Sequence, residues 1–369
     1  MMATMGFRCG IVGLPNVGKS TLFNALAGAA AAEAANYPFC TIEPNVGRVP
    51  VPDARLLRVA EIAKSTRAVP THIDFVDIAG LVSGASCGEG LGNTFLSHIR
   101  EVDAIVHVLR CFENDDISHV SGTVDPLADA EIVDTELMLA DLQSLERRRE
   151  GLVKRTRGGD GDAETTLALV DRAMPLLADG IPARAHEVSE GAEALWRQMQ
   201  LLTAKPVLYV CNVDENSAAG NDFSAKVEAM AAEQGAEVVV ISAAIESEIA
   251  QLTDADEKQD FLDSLGLEGS GLVRLVQAGY CLLGLITFLT AGPKETRART
   301  VAEGASAVDA AAVIHTDFAR GFICAETIAY VDYVRVGGEL KAKETGLMRQ
   351  EGRDYRLHDG DVILFRFNV

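Results

Sequence analysis

The chain contains no run of about 18 uninterrupted apolar residues, so no segment suits a membrane-spanning helix and no membrane partner is expected. It also contains no CxxC pair. The seven cysteines (Cys9, Cys40, Cys87, Cys111, Cys211, Cys281 and Cys324) are odd in number and scattered, which argues against zinc or dithiol redox chemistry. Reduced, mostly buried thiols in a cytoplasmic protein are the expectation. The opening MMATMGFRCGIVG lacks a basic stretch followed by a long apolar run and a small-residue cleavage site, so its apolar part is read as a first strand. No internal repeat occurs, and GAAAAEAA (28–35) is the one biased tract.

What is present is a globular composition in 369 residues, enough for two or three domains. A net charge of −21 would oppose nucleic-acid binding if it were spread evenly. It is concentrated instead: residues 203–284 carry 4 Lys+Arg against 14 Asp+Glu. Arg147, Arg148, Arg149, Lys154, Arg155 and Arg157 form a local basic run, which reads first as a solvated helix face and second as a contact for RNA phosphates.

Short apolar runs alternate with helical patterns through the first half. FRCGIVGL (7–14), HIDFVDI (72–78), DAIVHVL (103–109), KPVLYVCN (205–212) and AEVVVISA (236–243) read as buried strands; KSTLFNALAG (19–28) and LGNTFLSHIREV (91–102) read as helices. That alternation predicts an α/β domain with a mostly parallel sheet. Residues 131–202 hold no strand-like run and space their apolar residues helically, with GGDGD (158–162) as the turn between two antiparallel helices. From 285 to 369 the texture becomes β-rich. LITFLTA, ARTVAEG, AETIAYVDYVRV and DVILFRFNV read as strands, and DAAAVIHTDFARGF supplies one helix. The expected division is 6–130 with 203–284, a helical insertion at 131–202, and a small module at 285–369.

Gly13-Leu14-Pro15-Asn16-Val17-Gly18-Lys19-Ser20 is a GxxxxGKS loop between a strand and a helix. Its glycines let backbone N–H groups curl around phosphates, and the helix N-terminus adds positive partial charge. The nucleotide contacts expected there are Asn16, Val17, Gly18, Lys19, Ser20 and Thr21. Lys19 reaches the β- and γ-phosphates and Ser20 ligates Mg2+. Asp77-Ile78-Ala79-Gly80 is a DxxG closing a strand, with Asp77 assigned to the Mg2+ shell and the Gly80 N–H to the γ-phosphate. The glycine-rich run 84–92 follows it. Thr41 lies between the loop helix and the next strand, where its hydroxyl can ligate Mg2+ and its N–H can meet the γ-phosphate. A metabolite kinase lacks that Thr41 and DxxG pair.

Asn212-Val213-Asp214-Glu215 ends a strand where guanine-specific proteins of this type carry NKxD. Glu215 is one methylene longer than the guanine-reading Asp, and Val213 replaces the Lys whose stem covers the base. Adenine has no 2-amino group and offers an acceptor at N1, so the spacing predicts loss of guanine discrimination and a preference for ATP. Ser242 and Ala243 stand in the last base-contacting loop.

These five motifs in order, with ANYPFCTIEPNVG (35–47), FVDIAGLVSGASCGEGLGN (75–93), RCFENDDISHV (110–120) and the tail from HTDFARGF to FRFNV, closely resemble the YchF subfamily of Obg-like ATPases. The resemblance spans nearly the whole chain. It implies a P-loop G domain with a coiled-coil-like helical insertion and a C-terminal β-grasp TGS domain, a slow ATPase with an NxxE motif, and association with the ribosome through the 50S subunit or the 70S particle, rRNA and proteins included. A monomer is the expected state. Leu81, after DIAG, fits the hydrophobic-substituted GTPases, in which an apolar residue stands where glutamine would orient water. His119 matches a family histidine assigned to that work. Asn16 matches the asparagine that holds K+ in related proteins, a cation able to replace an arginine finger. His107, in mid-strand, reads as a satisfied core residue, and His98 as a helix residue. Small departures from the family pattern are Ser83, Ser86 and Arg48. A second reading, from another class, is a binding module in which nucleotide only sets conformation.

Overall fold

A computed structural model describes residues 7–34, 45–78, 91–114, 116, 122–252 and 254–368. In chain order the first elements are β1 (Arg8–Val12), α1 (Lys19–Ala34), β2 (Val46–Pro50), α2 (Ala54–Ala63), β3 (Ala68–Val69), β4 (His72–Asp77), α3 (Leu91–Glu101) and β5 (Ala104–Arg110). The long hairpin α4 (Pro126–Thr156) and α5 (Gly161–Ala178) follows, then α6 (Glu193–Gln198), β6 (Val207–Asn212), α7 (Asp222–Gln234) and β7 (Glu237–Ile241). Three helices, α8 (Ala243–Ile249), α9 (Ala255–Ser264) and α10 (Gly271–Leu282), lead to the C-terminal elements. Those are β8 (Leu285–Thr290), β9 (Thr296–Ala302), α11 (Ala307–Ile314), α12 (Thr316–Arg320), β10 (Phe322–Ile328), α13 (Tyr330–Val336), α14 (Glu339–Glu344), β11 (Arg349–Glu351) and β12 (Val362–Phe367).

The described residues form two compact units, those within 7–48 and 74–275 and those within 49–73 and 276–368. The first is built on a sheet of order β2-β4-β1-β5-β6-β7. Its pairings of β4, β1, β5, β6 and β7 are all parallel. β5 and β6 are buried at every position, which explains why both read as continuous apolar runs rather than alternating ones. Arg48 grips the buried carboxylate of Asp74 through Nε and Nη2 at 2.9 and 3.1 Å. This departure from the family pattern therefore belongs to the sheet.

The hairpin begins where Asp125 caps α4 and Pro126 takes the first turn, a position that needs no N–H donor. Its turn falls at 158–160, and Asp160 caps α5 by accepting from the Ala163 N–H at 3.1 Å. Leu145 and Leu152 of α4 pack with Val170, Ala173 and Leu177 of α5 in one cluster. The root is fastened by Asp141, whose carboxylate accepts from Leu202 N, Thr203 N and Thr203 Oγ1 at 2.8, 2.9 and 2.7 Å. Burial pushes the Asp141 carboxyl up, against these hydrogen bonds, which act downward.

The second unit carries a sheet of order β11-β10-β12-β8-β9-β3, with β12 and β8 parallel and β8–β9 and β10–β12 antiparallel. Alternation sends Phe288 to one face, with Val301, Ala310, Ala311 and Phe365, and Leu289 to the other. On that second face lie Leu56 and Val59 of α2, together with Ala298, Ile328, Tyr333 and Val362. The expected boundaries placed residues 49–73 in the first domain and began the last module at 285. The structure packs 49–73 and 276–284 with the C-terminal strands, because the apolar stripe of α2 finds its partners on β8, β9 and β12. β3 then extends that sheet's edge, with Ala68 opposite Thr296. Burying Leu56 and Val59 contributes about 1.5–3 kcal/mol each.

Two further expectations in this unit are corrected. DAAAVIHTDFARGF is two helices, because His315 is extended at φ −166° and its Nδ1 accepts from the Asp317 N–H at 3.2 Å, ending one helix and starting the next. AETIAYVDYVRV is a strand only as far as Ile328. Tyr330 and Tyr333 then fall at helical spacing, Tyr333 is buried, and Gly337 closes α13 at φ 81°.

Candidate functional site

The loop between β1 and α1 turns on three left-handed residues, Gly13 (φ 151°), Asn16 (φ 62°) and Gly18 (φ 97°). Such turns bring successive N–H groups to one side and make an anion-binding concavity. At two of these positions only glycine fits. A Cβ on Gly13 would stand 2.4 Å from the carbonyl oxygen of Val108 on β5, and one on Gly18 would stand 2.2 Å from Nδ2 of Asn212.

Lys19 opens α1 and is buried, with Nζ donating to the Leu14 carbonyl at 2.6 Å. A lysine ammonium has three donors, so two remain for a ligand. Burial pulls the Lys19 ammonium below its ordinary value, with the charge of Asp77 opposing the shift. The reverse holds at Asp77, at the end of β4: burial pushes its carboxyl up while Lys19 acts downward. The two feel each other's charge beside the loop, and each is a group that a magnesium-bound phosphate would stabilise in its ionised form.

A cavity of about 570 Å³ opens here, a size suited to a nucleotide. From the loop and α1 it is lined by Asn16, Gly18, Lys19, Ser20 and Thr21; from the end of β6 and the segment after it, by Asn212, Val213, Asp214 and Glu215; from the start of α8, by Ala243 and Ala244. The structure therefore brings the first and last sequence motifs together at the carboxyl ends of parallel strands, the usual ligand position in open α/β sheets. Val17 and Ser242 are expected contacts that do not line the cavity. Val17 is buried behind the loop, and Ser242 is the N-cap of α8.

Asn212 is committed at both ends of its amide. Nδ2 donates to the Val17 carbonyl at 2.9 Å, and Oδ1 accepts from the Ala243 N–H at 3.0 Å, all of it buried. It thus clamps the phosphate loop to the last loop of the site. Beyond it Val213 is buried, and its N–H donates to Ile241. Asp214 turns its carboxylate to the Asn216 N–H at 2.9 Å, leaving Glu215 as the exposed acid on the cavity wall.

Sequence reasoning gave no role to Phe112 and Asn114, which also line the cavity. Both are held by Arg110, which is buried at the end of β5. Its Nε and Nη2 donate to the carbonyls of Phe112 and Asn114 at 3.1 Å each, and its guanidinium lies 4.7 Å from the Phe112 ring centre. An arginine ending a buried, mostly apolar strand was the signal, since a guanidinium is buried only where its donors are used. Thr41, Gly80, Leu81, His119, Ser83, Ser86 and the run 84–90 lie outside the described residues.

His107 is a core residue, as expected, but not a satisfied one. Its Nε2 has no hydrogen-bond partner among the described residues, and its ring lies 5.7 Å from that of Tyr209. Burial lowers its pKa to about 4, with Asp134 opposing the shift and Arg184 and Lys19 adding to it. The folded value lies below the ordinary 6.5, so its contribution to stability is complete above 6.5 and is lost as pH falls toward 4. That loss amounts to about 3 kcal/mol. In urea titrations at neutral pH and near pH 4, His107→Met is expected to flatten the acid side of the stability profile by that amount. Parallel profiles for variant and parent would refute the assignment.

Residues 8–143 match a family model described as "50S ribosome-binding GTPase", and residues 285–368 match the YchF GTPase C-terminal model, described as a protein of unknown function. The chain is 56% identical over 365 residues to a protein of Haemophilus influenzae named ribosome-binding ATPase YchF, covering 99% of this chain and all of that one. The protein of the same name from Bacillus subtilis is 52% identical over 368 residues, with the same coverage. The solved structure of the Schizosaccharomyces pombe YchF GTPase matches at a TM-score of 0.89 and 35% identity, covering 98% of each chain.

Proposed function

This chain belongs to the YchF family, and on that premise we propose that it is a Mg2+-dependent ATPase that prefers ATP to GTP and acts as a nucleotide-state switch on the ribosome. The observation that carries the base preference is the wall beyond Asn212, where Glu215 is the exposed acid and the Asp214 carboxylate is engaged by its own turn. A glutamate at that distance gains little from guanine N1–H and N2–H, and buried Val213 supplies no cationic stem over the base.

The chemistry is hydrolysis of the γ-phosphate by in-line attack of water on phosphorus. The bond to the β–γ bridging oxygen breaks, and ADP and phosphate leave. The loop amides and the two unused donors of Lys19 stabilise the charge that develops on the β- and γ-oxygens. Ser20 and Asp77 are hard oxygen donors of the kind Mg2+ takes, and Thr41 completes the proposed set. When bound, the ion neutralises charge shared by the β- and γ-oxygens. His119 is proposed to orient the attacking water, the Gly80 N–H to sense the γ-phosphate, and Asn16 to hold K+. Ribosome-binding relatives and the absence, among described helices, of one long and apolar enough to cross a membrane fit a cytoplasmic place of action.

Equilibrium titration with ATP and GTP, with and without K+, tests the reading. ATP is expected to bind at least about tenfold more tightly than GTP. Val213→Lys with Glu215→Asp should move the ratio toward GTP by a similar factor. GTP binding tenfold tighter than ATP in the parent chain would overturn the base-recognition argument.

A further inference from the structure

We infer that Arg110 and Asn221 are positioning residues that build the wall of the nucleotide cavity against which the nucleobase lies. The inference rests on the nucleotide-binding reading above and adds what holds the base end of that site. The wall is the segment from Cys111 to Asn114, which leaves β5 and belongs to no further strand or helix. Phe112 and Asn114 of this segment line the cavity. Cys111 ties it to the base motif, because its N–H donates to the Asn212 carbonyl at 2.8 Å.

Beyond that bond the segment is held by side chains. Nδ2 of Asn221 donates to the Cys111 carbonyl at 2.7 Å, and the Arg110 fork takes the carbonyls of Phe112 and Asn114. Backbone fixed at these three carbonyls leaves the Phe112 ring little freedom, and the guanidinium 4.7 Å from its centre holds it on a further side. Arg110 is 1% exposed, whereas Asn114 is exposed. A buried cation, costly to desolvate, is thus committed to a segment at the cavity surface rather than to the core. Asn221 also caps α7: its Oδ1 accepts from the Phe223 and Ser224 N–H groups at 3.1 and 3.0 Å, and Ser224 Oγ accepts from the Asn221 N–H at 2.9 Å. Aspartate or serine would cap that helix as well as asparagine does, so capping alone does not call for an amide. Only asparagine keeps a donor for Cys111. Arg110 is similarly specific, because a lysine ammonium lacks the planar fork that spans two carbonyls at once.

The test measures binding of ATP, GTP and inorganic tripolyphosphate to the full chain by calorimetry. Tripolyphosphate occupies the phosphate loop and carries no base. Asn221→Asp retains the acceptor that caps α7 and removes the donor to Cys111, so it loosens the wall while the helix start stays capped. Arg110→Lys retains the charge and removes the fork. Each variant is expected to bind ATP about three- to tenfold more weakly than the parent, the worth of one ring contact. Tripolyphosphate affinity should be unchanged in both, which also reports an intact loop. Should Arg110→Lys fail to fold, Asn221→Asp decides alone. The inference is overturned if the folded variants bind ATP like the parent, or if ATP and tripolyphosphate weaken by the same factor, as a general loosening of the fold would give. A parent chain that binds GTP more tightly than ATP would instead sink the base preference proposed above. Weakening of both nucleotides in the variants, with tripolyphosphate unchanged, would still uphold the wall.

Discussion

Lys19→Met is expected to lower the rate constant of ATP hydrolysis by about 10²–10³-fold, the effect of removing one preorganised donor from developing oxyanion charge. Nζ sits at the mouth of the loop, buried and held by the Leu14 carbonyl, so the donor is in place before substrate arrives. The same variant should not lose stability without nucleotide. Burial lowers the folded pKa of Lys19 below the ordinary 10.5, so desolvation of the ammonium opposes folding. That opposition disappears only as pH rises past the unfolded value. Lys19→Met should therefore melt at the same temperature as the parent or higher, while losing the extra stability that ATP confers by mass action. His119→Ala gives the contrast. In single-turnover experiments it should keep ATP affinity and slow the chemical step, whereas Lys19→Met impairs both. Hydrolysis by Lys19→Met within a few-fold of the parent would remove this residue from the mechanism.

The second large effect is expected at Asn212, which is built into the protein rather than aimed at the ligand. Asn212→Ala leaves the Val17 carbonyl and the Ala243 N–H buried without partners. Each such loss costs about 1–3 kcal/mol, so destabilisation of about 2–6 kcal/mol is expected. Nucleotide affinity should fall with it, because the clamp fixes the distance between the phosphate and base ends of the cavity. Asn212→Asp separates geometry from charge: its carboxylate can still accept from Ala243 but presents an acceptor to the Val17 carbonyl. It should be no better than alanine. Urea midpoints and ATP titrations on both variants check this, and an alanine variant within about 0.5 kcal/mol of the parent would show the two bonds to be dispensable.

The phosphate loop was readable because its chemistry is local. Glycines at 13 and 18, a lysine at 19 and a serine at 20 specify backbone geometry and charge within eight residues, whatever packs behind them. Strands β5 and β6 were readable because burial on both faces makes them largely apolar, with His107, Arg110 and Asn212 as the polar exceptions. The role of Asn212 was only half legible. Its position marked a base loop, but the pairing with Val17 and Ala243 joins residues about 195 and 31 places away, which no local pattern encodes. Phe112 and Asn114 were missed for a related reason, since what places them is the buried guanidinium of Arg110. The helix α13 read as a strand because its valines and tyrosines favour extended backbone, and the burial of Tyr333 against α2 overrides that propensity. The helix α2 shows a clear apolar stripe, but a stripe does not say which sheet it will cover.

That last placement bears on synthesis. Leu56 and Val59 emerge early, whereas Val362, one of their packing partners, emerges almost last. At chain elongation rates of about 5–20 residues per second, the early helix waits roughly 15–60 seconds before its cover exists. During that interval two leucine- and valine-bearing turns stand open to water on a nascent chain whose nucleotide-binding sheet needs nothing beyond β7. The first unit can therefore mature while translation continues, and the second becomes a folded body only once β12 has been made.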